Sequence, residues 1–359
     1  MKPYKIVPTF KNYKRLLGML EELRQEGFNT YGVHGAYTEV DNLPCYDYLV
    51  FPCFGTEEAR RKTQLDDKVQ EILAGIDKNT MSDVDIALYL HDYICANTVQ
   101  HNYDRTEVKA YNVLVQEAYN MSDDFAETYE FLLRKVGIPS KKVCIKGFKE
   151  GYWNQIFVDG NWYNVDVWLD TTANVGTQQY GKTNHRAFLS SDADFYKVKQ
   201  FRDGLSFDSD TPCQDTRHDK DWWDTIKTEL CFKNGAYYYI TKSKSDNTMS
   251  LMQRKNNKET TLQTFACAVQ DIEMVSDRVD YANGKLFWTD GTRVYSWIID
   301  SAKKPAVVFE LSGNQSGTKV LALTKITANG QTLLYKVFNS ETDYRYDFNA
   351  LQTATLSTL

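Results

Sequence analysis

Residues 151–170, GYWNQIFVDGNWYNVDVWLD, place Tyr152, Trp153 and Asn154 before an Asp159-Gly160 turn and Trp162, Asn164 and Asp166 after it. Aromatic rings flanked by amide and carboxylate groups can stack on and hydrogen-bond a peptide or a sugar, or they can anchor a core. Core anchoring is the simpler duty for most of these rings. Strand alternation puts Trp162, Asn164 and Asp166 on one face, opposite Tyr163, Val165 and Val167. Other reactive groups are sparse. The five histidines lack metal-ligand spacing, and no Gly-rich phosphate loop follows a strand, so no cofactor and no metal are implied. Cys45, Cys53, Cys95, Cys144, Cys213, Cys231 and Cys267 are odd in number and contain no CxxC pair. They fit buried free thiols better than a zinc site or a disulfide framework.

The elements that must position these groups follow from length and pattern. A chain of 359 residues exceeds the usual size of one undivided core, so two or more domains are expected. A net charge of -6 offers no overall basic face, which argues against nucleic acid as a partner. No run approaches the roughly 18 apolar residues of a membrane span, so no membrane insertion is expected. The opening MKPYKIVPTFKNYKRLLGML lacks an apolar signal region, a start that suits a native cytoplasmic terminus or a chain whose export signal was trimmed. Tyrosine is abundant, with 24 residues beside 7 Trp, and strand packing is the simplest use for them.

Helical stripes run through Leu16, Leu17, Leu20 and Leu23 and through Leu65, Val69, Ile72, Leu73 and Ile76. Ser82 suits the N-cap of a further helix with Val84, Ala87, Leu90, His91 and Ile94 inward. Another helix begins near Ser122 and stops at Gly137-Ile138-Pro139. KKVCIKGF and the aromatic hairpin follow as strands, so residues 1–200 read as an α+β domain with helices first and sheet last. Residues 201–228 are polar and turn-rich, as in a linker. Residues 229–359 read as an all-β domain of three units opening at Asn234, Asn283 and Asn329, spaced by 49 and 46 residues. These antiparallel repeats resemble β-propeller blades, although a closed propeller has about four to eight of them.

YLHDYICANTVQHNYD, AYNMSDDFAETYEFLLRKVGIPS and the hairpin occur in an order that resembles the bacterial transglutaminase-like, papain-related superfamily, most strongly over residues 80–195. The resemblance implies a Cys nucleophile at the helix start, a His base just before Trp-Asn, and an Asp on the last strand that orients the His. Asp166 occupies the Asp position. Ser122 stands at the nucleophile position and Gly151 at the base position, so the implied triad is degenerate. Asp123 and Asp124 in the helix's first turn stabilise it but oppose an oxyanion there. His101 and His185 are candidate stand-in bases, while His91 falls on an inner helical face and resembles the family's structural His-Asp-Tyr. Cys144 is displaced from the nucleophile position and suits a buried thiol. Without a histidine at 151, Asp166 is expected to be solvated or hydrogen-bonded, with Asn154 and Asn164 as nearby partners.

The function that follows is a catalytically inactive binding or scaffolding module for a peptide, a protein or a cell-surface glycan. Its ligand contacts would fall on Tyr152, Trp153, Asn154 and Asp166. One alternative is an active hydrolase or acyl transferase built on Ser122, and another is a structural cell-surface spacer. Proteins of this architecture resemble exported or surface-attached proteins, which implies an extracytoplasmic location.

Overall fold

The computed structural model describes residues 5–6, 36–40, 43–49, 56–100, 108–119, 121–146, 151–171, 183–199, 208–269, 272–312, 319–326, 330–339 and 352–356. The stripe at Leu16 to Leu23, His101 and Asn329, where the third repeat was expected to open, lie outside the described residues. The fold is mixed α/β with several small, open antiparallel sheets.

The order of elements differs from helices first. Strands β1 (Lys5–Ile6), β2 (Ala36–Val40) and β3 (Leu43–Leu49) form a sheet in the order β1-β3-β2 ahead of the first described helix. The run AYTEV and the run LPCYDYL carry the Tyr, Thr and Val side chains that suit strands. Helices α1 (Thr56–Leu73) and α2 (Asp83–Asn97) follow, then β4 (Val99–Gln100), α3 (Lys109–Leu114) and β5 (Ala118–Tyr119), with β4 and β5 paired in parallel.

Local chemistry sets the ends of the longer helices. At the start of α2, Ser82 Oγ accepts the Asp85 N–H at 3.2 Å and the Asp85 carboxylate accepts the Ser82 N–H at 2.8 Å. Such a reciprocal cap contributes about 1 kcal/mol. Helix α4 (Ser122–Val136) stops at Gly137, whose φ of 90° is cheap only for glycine, and the Gly137 N–H reaches Leu133 O at 3.0 Å. Asp123 and Asp124 in its first turn and Arg134 and Lys135 in its last suit the helix dipole.

Beyond α4, strands β6 (Ser140–Val143), β7 (Trp153–Val158) and β8 (Asn161–Val165) form an antiparallel sheet, followed by the short helix α5 (Val167–Asp170) and by α6 (Asp192–Lys199). Asp159 at φ 49° and Gly160 at φ 79° make the tight turn between β7 and β8. The pairing of Asn154 with Val165 and of Ile156 with Tyr163 gives this sheet two unlike faces. Ile156, Val158, Tyr163 and Val165 point into a core shared with the helices. Trp153 and Gln155 lie on the opposite face, with Asn164 and Asp166.

The segment 208–230 packs closely on this half of the chain. Cys213 is buried, its N–H bonds Asp192 Oδ2 at 2.9 Å, and Trp223, Ile226 and Leu230 enter the helical core. His218 bonds Asp221 at 3.0 Å and packs its ring on Tyr163 and Trp223.

Three sheets follow. The first holds β9 (Cys231–Lys233), β10 (Ala236–Ser243), β11 (Thr248–Lys255) and β12 (Lys258–Ala266). The second holds β13 (Asp280–Ala282), β14 (Lys285–Thr289), β15 (Arg293–Ile298) and β16 (Ala306–Glu310). The third holds β17 (Lys319–Ile326), β18 (Thr332–Asn339) and β19 (Gln352–Thr355). Asn234-Gly235 joins β9 to β10 and Asn283-Gly284 joins β13 to β14, with positive φ at all four residues. Alternation explains how the layers meet. Tyr239 on β10 faces the helical core, while Tyr238 and Ile240 face the second sheet. On β14, Leu286 and Trp288 face the first sheet and Phe287 the third.

Candidate functional site

Ser122 opens helix α4 and is 7% exposed, so a reagent would have little access to its hydroxyl. Its Oγ accepts the Tyr152 N–H at 3.0 Å, and among the described residues no imidazole or carboxylate bonds it. Gly151, at the position where a base would sit, has a φ of 74°, and a Cβ built there would meet nothing within 4 Å. Among the described residues, no side chain hydrogen-bonds the Ser122 hydroxyl from the position where proton transfer would require a base.

The cations beside Ser122 do not supply it. Lys142 Nζ lies over the Tyr152 ring at 5.0 Å and bonds Asp123 at 2.7 Å and Glu127 at 3.2 Å. Lys109 bonds the same two carboxylates. Burial opposes the charge on Lys142, but Asp123 and Glu127 outweigh it and raise the ammonium above its ordinary value. Asp123 is likewise opposed by burial and yet lowered by Lys109 and Lys142. A lysine held this firmly in its charged form cannot take a proton from a serine at neutral pH.

Asp166 is fully buried and satisfied. One oxygen accepts the Leu169 N–H at 3.0 Å, capping α5, and the other is paired with the ammonium of Lys199 at the end of α6. The Lys199 Nζ also lies 5.6 Å from the centroid of Trp153, 5.9 Å from Trp168 and 5.8 Å from Phe195. Asn154 and Asn164, the partners expected for Asp166, bond elsewhere. Asn154 Nδ2 reaches Ala126 O at 2.9 Å, and Asn164 accepts from Trp153 Nε1 at 3.0 Å and donates to Asp192 at 2.8 Å. The cause is the cover over this face of the sheet: Asn164 bridges Ser190, the Asp166 N–H reaches Ala187 O, and α6 closes over Trp153 through Phe195.

The four residues expected to touch a ligand are thus not one surface. Trp153 and Asp166 face the 187–199 segment, Asn154 faces α4, and all three are at most 1% exposed. Tyr152 is half-buried and is the member of the set that retains surface, beside the open space at Gly151.

The remaining described candidates, Cys144, His185 and His91, are engaged inside the protein. Cys144 is buried, and burial together with Asp208 pushes its thiol up. Burial also raises Cys95, Cys213 and Cys231, the opposite of an activated thiolate. His185 lies away from Ser122 in a buried cluster. Its Nε2 meets Asp92 Oδ1 at 2.9 Å and its Nδ1 meets Ile226 O at 2.9 Å. His91 Nδ1 meets the same Asp92 oxygen at 2.9 Å, and its Nε2 meets Asp170 at 3.3 Å. Sequence spacing gave no sign of this cluster, because His185 arrives 93 residues after Asp92.

The metal-binding potential of His91, Asp92 and His185 is decided by distance. Their ligand atoms lie within 4.8 Å of one another. The two nitrogen-to-oxygen separations of 2.9 Å are hydrogen-bond lengths. Tetrahedral ligands with bonds near 2.0–2.1 Å would stand roughly 3.3 Å apart, so the arrangement fits protons better than zinc.

No protein-family model matches this chain, and no curated protein matches it. Among solved structures, "Crystal structure of a TGase" is similar at 13% identity over 46% of this chain, with a TM-score of 0.24. The chain spans about half of that structure, 51% of its length. Among the described residues, no helix is long and apolar enough to cross a membrane.

Proposed function

We propose that the chain is a non-catalytic binding or scaffolding module. In this reading residues 80–195 keep a transglutaminase-like frame with a degenerate triad, and the C-terminal sheets are propeller-blade-like repeats that add a second recognition surface. The observation that carries it is Gly151 with open space about it, where a histidine would be needed, combined with the commitment of Asp166 to Lys199. A restored imidazole would also find its orienting carboxylate already engaged.

The ligand class is an extended peptide or a glycan of the cell surface, outside the cytoplasm, held against the Tyr152 ring and the rim of the space at Gly151. Lys142 and Lys109 with Asp123 and Glu127 give that rim mixed charge, which suits a polar chain better than an apolar one.

Titration of immobilised peptide and glycan panels tests this reading. A ligand found this way should lose about tenfold or more in affinity with Tyr152→Ala, as expected for a central aromatic contact. If every bound ligand tolerates Tyr152→Ala unchanged, the niche beside Gly151 is not the binding site.

A further inference from the structure

Helix α2 carries His91, Asp92 and Cys95 inward to meet Asp170 of α5 and His185, and none of these five residues is more than 4% exposed. Four ring nitrogens each face an oxygen that accepts: Asp92 Oδ1 twice at 2.9 Å, Asp170 Oδ2 at 3.3 Å and the Ile226 carbonyl at 2.9 Å. Backbone donors fix the carboxylates as acceptors. Asp92 Oδ2 takes the Leu230 N–H at 2.9 Å, and Asp170 takes the Ala187 N–H at 3.0 and 3.2 Å. A neutral imidazole has one N–H, so two neutral rings would serve two of the four contacts and press two lone pairs against oxygens. Two further protons remove the conflict, and their charge balances the two carboxylates.

We propose that His91 and His185 are both imidazolium, and that with Asp92 and Asp170 they form a buried, charge-balanced clasp, sensitive to pH, that fastens Ile226 and Leu230 to helix α2. Leu230 leads directly into β9, so the clasp joins the helical half to the first of the three C-terminal sheets.

The groups facing the clasp support its sign. On α2 the Cys95 thiol lies 3.7 Å from His91 Nε2 and reaches Val167 O at 3.5 Å. From α4 the Tyr129 ring packs edge-on against His91, and its hydroxyl donates to Ala87 O. On the clasped segment, burial pushes the Asp224 carboxyl up to about 6 and that of Glu229 up to about 7, and Glu229 lies 3.2 Å from Arg278. Burial favours a neutral His91, but Cys95, Asp170 and Asp92 together outweigh it and hold its pKa well above 6.5. Burial pushes the Cys95 thiol itself up. Burial would raise Asp92, yet His185 and His91 lower it below 3.8. The contribution of His91 is complete below its unfolded value of 6.5 and is lost as pH rises through the raised folded value. That of Asp92 is present above 3.8 and is lost as pH falls through the lowered one. The clasp therefore holds at neutral pH and opens toward alkali.

Nitrogen NMR of the histidine-labelled protein and amide exchange along a pH series test this without a substitution. Both buried rings should show the doubly protonated pattern at pH 7. Exchange of the Leu230 amide, corrected for its intrinsic rate, should accelerate by about tenfold or more on passing to alkaline pH, while amides of β14 stay protected. If Asp92→Asn folds, its Leu230 amide should already exchange at the faster rate at pH 7. A neutral pattern for either ring at pH 7, Leu230 protection indifferent to pH, or stoichiometric zinc held by these residues would each overturn the proposal.

Discussion

Asp166→Ala should lower the stability of the protein by about 3–5 kcal/mol, the range for removing one partner of a buried ion pair. The Lys199 ammonium, 7% exposed, would keep its aromatic surroundings of Trp153, Trp168 and Phe195 but lose its carboxylate. The contacts with the rings contribute about 0.5–2 kcal/mol each and cannot replace the lost countercharge. Helix α5 would lose its cap at Leu169 as well. Urea denaturation reads the loss directly. The companion Lys199→Met in the Asp166→Ala background should recover part of it, because the ammonium that Asp166 neutralised is then no longer buried. If Asp166→Ala costs less than about 1 kcal/mol, the pair is solvated and Asp166 is available for other work.

Trp288→Ala should cost a similar 3–5 kcal/mol, by loss of burial and creation of a cavity. Trp288 is 1% exposed and sits between the first and second C-terminal sheets, stacked on Tyr295 at 5.8 Å and packed near Phe265 at 6.3 Å. Trp288→Phe should cost clearly less than its change in volume suggests. It removes an indole N–H that meets no acceptor among the described residues, and a buried unpaired donor carries a penalty of about 1–3 kcal/mol. Urea unfolding of the two variants gives the comparison. A negligible loss in Trp288→Ala would mean that the sheets do not pack through this residue.

Much of the local architecture was legible in the sequence because it is written in neighbouring residues. Ser82 with Asp85, and Gly137 before Pro139, mark helix ends by chemistry that acts within a few positions. The Asp159-Gly160, Asn234-Gly235 and Asn283-Gly284 turns need positive φ, which their residue types announce. Alternation along β8 sent Tyr163 and Val165 to the helical core.

What the sequence concealed depends on distant segments. Nothing near Asp166 indicates that Lys199, 33 residues away, will occupy its carboxylate. Nor does the pattern of β7 and β8 reveal that the 187–199 segment covers their polar face. The open-looking hairpin residues Trp153 and Asp166 are buried for that reason. The meeting of His91, Asp92, His185 and Asp170 is likewise a tertiary event, assembled from α2, α5 and the segment before α6. The strands ahead of α1, AYTEV and LPCYDYL, are short and lie beside strong helical stripes, although their Tyr content favours strands.

The proposed non-catalytic role requires that Ser122 have no working base. Incubation with a serine-directed fluorophosphonate and a panel of acyl donors, read by intact mass, tests it most directly. The expected result is no adduct and no acyl product beyond those of Ser122→Ala, whereas an adduct on Ser122 that disappears in Ser122→Ala would contradict the account.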